Sequence, residues 1–74
     1  GEIDAVAFFS PSAASSLAAA AGGGTLTVLA GRILVASIGP ATSAALRSLG
    51  APPDFEARPH TAEAMAAGLA RRLA

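Results

Sequence analysis

The sequence predicts an α/β fold, a three-stranded parallel sheet with flanking helices in the order βαβαβα. Short β-type apolar runs alternate with alanine-rich helical runs along all 74 residues. The middle run, residues 32–38, is β-branched and nearly continuously apolar, as suits a strand covered on both faces. The first two runs each end at a small residue followed by proline, Ser10-Pro11 and Gly39-Pro40, where a helix opens.

The elements follow in order. Residues 3–9, Ile3-Asp4-Ala5-Val6-Ala7-Phe8-Phe9, have the length and composition of a strand and stop at Ser10-Pro11. Residues 12–21 are strongly helix-forming, and Gly22-Gly23-Gly24 ends them. Residues 22–31 are ambiguous: Thr25-Leu26-Thr27-Val28-Leu29 has strand composition, but a loop leading into Arg32 is the preferred reading. After the second strand, Thr42, Ala45, Leu46 and Leu49 form a helical stripe that Gly50 closes. Ala51-Pro52-Pro53 forces a turn, and residues 54–58 make a short third strand. The last helix takes Thr61 as its N-cap, carries Glu63 in its first turn and ends on Arg71-Arg72, matching the helix dipole. Its expected buried stripe is Ala62, Met65, Ala66, Leu69 and Leu73. Right-handed crossovers then place the strand carboxyl ends, and the helix starts after them, on one edge.

Composition narrows the function. Alanine occupies 21 of 74 positions and only 18 residues are larger apolar side chains, so the core is thin. A chain this small usually needs a disulfide, a metal or a partner surface. There is no cysteine and one histidine, so the chain reads as part of something larger, and the absence of Met at position 1 fits an incomplete chain. Five arginines against five acids, with no lysine, leave no basic footprint for nucleic acid. The longest apolar stretch, residues 25–38, is broken by Arg32 and falls short of the ~20 residues a membrane span requires. The start Gly-Glu-Ile-Asp is not that of a signal peptide, and a soluble cytoplasmic protein is expected.

The chemistry-bearing positions are few. Helix starts leave backbone N–H groups free and favour anions. Ser10-Pro11-Ser12 and Gly39-Pro40-Ala41-Thr42, side by side, make an anion cradle, and their small residues let a ligand approach the backbone. Each helix end contributes only about 0.3–1 kcal/mol to a nearby exposed charge, so a polyanion needs several. Neither turn matches a phosphate-loop or dinucleotide fingerprint. Residues 7–17 and 36–46 echo one another, and ordinary helix-start chemistry is the simpler account of that echo. His60 reads as a solvated residue ahead of the last helix, and Asp54 and Glu56 as strand-flanking surface charges. Glu2 and Asp4 fall on the opposite edge, and Arg71-Arg72 completes a helix terminus. Ser10 has no histidine at useful spacing, so it is not read as a nucleophile. No paired carboxylates, metal cluster or triad is present, and no catalytic or metal-binding residue is assigned.

At the two turns the sequence resembles a known family. Phe8-Phe9-Ser10-Pro11-Ser12, then Ala36-Ser37-Ile38-Gly39-Pro40-Ala41-Thr42, Ala44, Leu46, Leu49-Gly50, Ala57, Pro59 and Thr61-Ala62-Glu63-Ala64 keep the order of motifs in the carboxyl-terminal part of uroporphyrinogen-III synthase. The likeness runs from about Ile3 to Leu73 and covers roughly the last third of such a protein. It implies that residues 1–74 are the carboxyl-terminal part of one flavodoxin-like domain of a two-domain enzyme. That enzyme, a monomer, takes hydroxymethylbilane, inverts its last ring, closes the macrocycle to uroporphyrinogen III with loss of water, and uses no cofactor. The resemblance makes Ser10, Ser12, Gly39, Pro40, Ala41 and Thr42 lining of a cleft in which backbone amides hold the substrate's carboxylates. Where the family has paired threonines after Gly-Pro, this chain has Ala41 and Thr42, so one hydroxyl is missing. The tyrosine associated with hydroxyl departure belongs upstream, and this chain has no tyrosine. The segment alone is expected to be inactive. The alternatives are a non-catalytic α/β module that binds an anionic ligand at its helix starts, and a structural remnant whose alanine-rich faces only pack on a partner.

Overall fold

Three parallel strands, β1 (Ala5–Phe8), β2 (Leu34–Ser37) and β3 (Phe55–Glu56), lie in the order β1-β2-β3. The computed structural model describes residues 5–73. Glu2, Ile3 and Asp4 of the sequence reading lie outside them. Ala5 pairs with Leu34 through to Phe8 with Ser37, and Ala36 and Ser37 pair with Phe55 and Glu56. Among the described residues, four helices flank the sheet: α1 (Pro11–Ala21), α2 (Gly23–Ala30), α3 (Pro40–Ser48) and α4 (Ala62–Leu73). The parallel α/β arrangement is the one expected.

Strand alternation builds two cores, one on each face. Phe8 and Val35 turn to one side and pack with Ala14 and Ala18 of α1, Leu46 of α3 and Ala51. Ala36 and Ala57 turn to the other and pack with Met65 of α4, flanked by Ala7, Ile38, Phe55, Ala64 and Leu69. The middle strand is therefore covered on both faces, and its buried residues Val35, Ala36 and Ser37 need no polar alternation. Ala14 and Ala18, one turn apart, are small enough to bring α1 close to both the sheet and α3.

Residues 23–30 correct the sequence reading. Thr25–Leu29 is neither loop nor strand but lies within α2. Gly22, at φ 89°, breaks α1, and the chain then restarts as a helix packed against α1 and reaching the turn after α3. There Thr27 Oγ1 lies 3.5 Å from the Leu49 carbonyl oxygen, to which it donates, and close beside Gly50. Packing against α1, with Thr27 reaching the turn after α3, overrides the weak helix propensity of a Gly-Gly-Thr-Leu-Thr-Val run.

Three boundaries also move. β2 begins at Leu34, because Arg32 lies in a turn. β3 keeps only two residues, because β2 ends at Ser37, whose carbonyl takes the Ala57 N–H at 2.8 Å, and its chain then turns into α3. On α4 the buried residues are Met65 and Gly68, with Ala64 and Leu69 half-buried, whereas Ala62 and Ala66 are exposed and Leu73 is 51% exposed. The face is rotated because Phe55 packs onto Gly68, where a Cβ would lie 2.6 Å from the ring's Cε2. The caps are as expected: Thr61 Oγ1 accepts from the Ala64 N–H at 3.1 Å, and Gly50, at φ +79°, follows the end of α3.

Candidate functional site

Parallel pairing of β1 and β2 brings the starts of α1 and α3 to the same edge of the sheet. Phe8 is in register with Ser37, and one residue further on the Ile38 N–H donates to the Phe8 carbonyl at 3.0 Å. Ser10-Pro11-Ser12 and Gly39-Pro40-Ala41-Thr42 therefore emerge from neighbouring strands.

The two starts are finished differently. Ser10 caps α1 itself: its extended backbone (φ −160°) lets Oγ accept from the Ala13 N–H at 3.1 Å. Ser12 Oγ stands 3.3 Å from Ser10 Oγ, exposed to solvent. At α3 the capping position is Gly39, which has no side chain to offer. Pro40 lacks an N–H, and the N–H groups of Ala41 and Thr42 meet no protein acceptor among the described residues. Ala41 is exposed, while Thr42 is only 2% exposed and sits against the core.

A buried polar chain holds the start of α3 in place. Ser37 Oγ donates to the Gly39 carbonyl at 2.8 Å and accepts from the Gly39 N–H at 3.3 Å. Ser43 Oγ lies 2.8 Å from Ser37 Oγ and 2.7 Å from Glu56 Oε1, so its single proton is shared between them. Glu56 Oε2 in turn contacts His60 Nε2 at 3.5 Å. The imidazole packs over Gly39, with Cγ 3.4 Å and Nδ1 3.5 Å from where a Cβ there would stand. Glycine at this position thus gives His60 its seat.

Two assignments change as a result. Glu56 is not a surface charge: its side chain is 18% exposed and bound by Ser43. His60 is half-exposed, but it is fixed over the α3 start rather than free in solvent. Asp54 also has a structural task, since its Oδ2 accepts from the Val35 N–H at 2.6 Å and pins the start of the β2–β3 pairing. Strand register sets Ser37 beside Glu56, and Ser43 lies one turn into the next helix; no local sequence pattern marks that juxtaposition. Phe9, 55% exposed, follows Phe8 at the same edge.

Comparison with known proteins decides the family. A family model described as uroporphyrinogen-III synthase HemD matches residues 1–67. The chain belongs to the uroporphyrinogen-III synthase family. No curated protein and no solved structure matches it. Membership gives the chain a uroporphyrinogen-III synthase-like function in tetrapyrrole synthesis, with hydroxymethylbilane as the family's substrate. The match takes in both helix starts, all three strands and the first half of α4. Among the described residues, no helix is long and apolar enough to cross a membrane.

Proposed function

We propose that this chain supplies one wall of the substrate cleft of a uroporphyrinogen-III synthase, the lyase that closes hydroxymethylbilane with inversion of its last ring and loss of water. One observation carries the reading: the family match spans two helix starts that emerge from paired strands onto one edge. Residues 1–74 are then the carboxyl-terminal part of a flavodoxin-like domain in a two-domain, monomeric, cytoplasmic enzyme.

The wall works by backbone chemistry. A linear tetrapyrrole is a polycarboxylate, and the free N–H groups of Ala41 and Thr42 at the positive end of α3 suit one of its carboxylates. Ser10 and Ser12 flank that position, and Gly39, Pro40 and Ala41 are small enough for close approach. Thr42, buried on the core side, takes part through its N–H, so the missing second threonine hydroxyl at Ala41 is replaced by main-chain donors. Phe9 presents an apolar surface for a pyrrole ring beside these donors. Both carboxylate oxygens of Glu56 are engaged within the chain, by Ser43 and His60. The chain contributes binding and orientation, and ring closure falls to residues outside these 74.

The test is a pair of measurements on the 74-residue chain. Uroporphyrinogen III should bind saturably in equilibrium dialysis, while incubation with hydroxymethylbilane yields no uroporphyrinogen III. Formation of the type III isomer by the chain alone, or failure to bind, would contradict the reading.

A further inference from the structure

A second site of different chemistry lies away from the helix starts. Among the described residues, β3 is an edge strand with β2 on one side only, and α4 packs beside it, leaving a groove of about 210 Å³ between them. Its lining includes Phe55, Arg58, Gly68, Arg71 and Arg72. Three of the chain's five cationic side chains thus meet at one groove in a protein of zero net charge.

The groove is built rather than incidental. Gly68 has no side chain where Phe55 needs room, so the ring lies against the α4 backbone. The Arg72 guanidinium stacks over that ring, 4.2 Å from its centroid, and its Nη1 donates to the Gly68 carbonyl at 3.4 Å. Stacking and this bond fix the guanidinium plane while leaving most of its five N–H donors unused. Glu56 also lines the groove, but its carboxylate oxygens are turned to Ser43 and His60. Among the described residues, Glu56–His60 is the sole contact between an acidic and a basic side chain, so no described carboxylate pairs with the three arginines.

We propose that the groove between β3 and α4 binds a small oxyanion, a phosphate or carboxylate group held by Arg58, Arg71 and the stacked Arg72. A planar guanidinium with a fixed orientation matches the two oxygens of either group in a bidentate pair. The volume admits the anionic group with a small body attached, not a macromolecule. The site is independent of the tetrapyrrole reading: Arg71 and Arg72 lie beyond residue 67, where the family match ends.

The experiment is a titration of the ¹⁵N-labelled 74-residue chain with inorganic phosphate and, separately, with succinate, at constant ionic strength. At least one probe should give saturable shifts at the Ala57, Arg58, Gly68 and Arg72 amides, and the stronger probe identifies the anionic group. The exposed pair R58Q/R71Q should weaken that binding about tenfold or more, as expected when charge-assisted bonds are lost. R72K keeps the charge but loses the stack and fork, and should weaken it severalfold with the amide spectrum otherwise unchanged. Linear, non-saturating shifts with both probes, or equal affinity in R58Q/R71Q and the parent chain, would overturn the proposal. Shifts confined to Ala41 and Thr42 would overturn it too, while leaving the proposed tetrapyrrole wall standing.

Discussion

The starts of α1 and α3 look alike in sequence and differ in construction. Both follow a parallel strand, and both place proline at the first helical position. Ser10 spends its hydroxyl on the Ala13 N–H, so α1 is closed by its own side chain at an exposed position. Gly39 has nothing to spend, and α3 is instead held from below by Ser37 and Ser43. The lesson is that a helix start can be anchored without being capped. Rigidity then comes from buried hydroxyls, and the outward N–H groups stay open for a ligand. Under the proposed function, α3 is the binding end and α1 its neighbour.

Substitutions can break that contrast, and the largest effect belongs to the core beneath α3. Leu46, fully buried, truncated to alanine should cost about 2–5 kcal/mol. Half-buried Leu17 of α1 truncated likewise should cost about 1–2 kcal/mol. Urea denaturation of the two variants compares them, and equal losses would mean that α3 is no more deeply anchored than α1. Next in size, Ser43→Ala removes a hydroxyl shared by Ser37 and the part-buried Glu56 carboxylate, and about 1–3 kcal/mol of stability should go with it. Ser10→Ala, by contrast, removes an exposed cap, for which about 1 kcal/mol is expected. A thermal melt ranking Ser10→Ala above Ser43→Ala would reverse the proposed order. The smallest effect sharpens the picture. Gly39→Ala puts a Cβ 3.4 Å from His60 Cγ, a fit that needs only a slight shift of a half-exposed ring. Stability should change by under about 1 kcal/mol, while the His60 ring resonances move away from their parent positions.

The alternation of apolar and alanine-rich runs made the sheet and three of the helices legible, because covered parallel strands leave a continuous apolar signature. Leu46 and Met65 stood out by helical spacing for the same reason. α2 did not, since its composition is poor for a helix and what supports it is tertiary: packing on α1 and the reach of Thr27 to Leu49 and Gly50, far away in sequence. The rotated face of α4 was hidden for a related reason: Gly68 is buried through the space it leaves for Phe55, and no hydropathy pattern marks a missing side chain. At the site, the two helix starts could be read from Pro and small residues. Ser37, Ser43, Glu56 and His60 could not, because strand pairing and one helical turn bring together residues up to 23 positions apart. Local reading sees the donors of a helix start but not the long-range hydroxyls and carboxylate that hold it.

The central claim is that α3, not α1, presents the open anion-binding start. The most direct measurement is a titration of uroporphyrinogen III into the ¹⁵N-labelled chain, followed at the amides of Ala41 and Thr42 and at those of Ser12 and Ala13. Saturable shifts largest at Ala41 and Thr42, with Ala13 nearly unmoved because Ser10 already accepts its N–H, are the expected result. Equal shifts at both starts, or a response at Ala13 alone, would contradict the account.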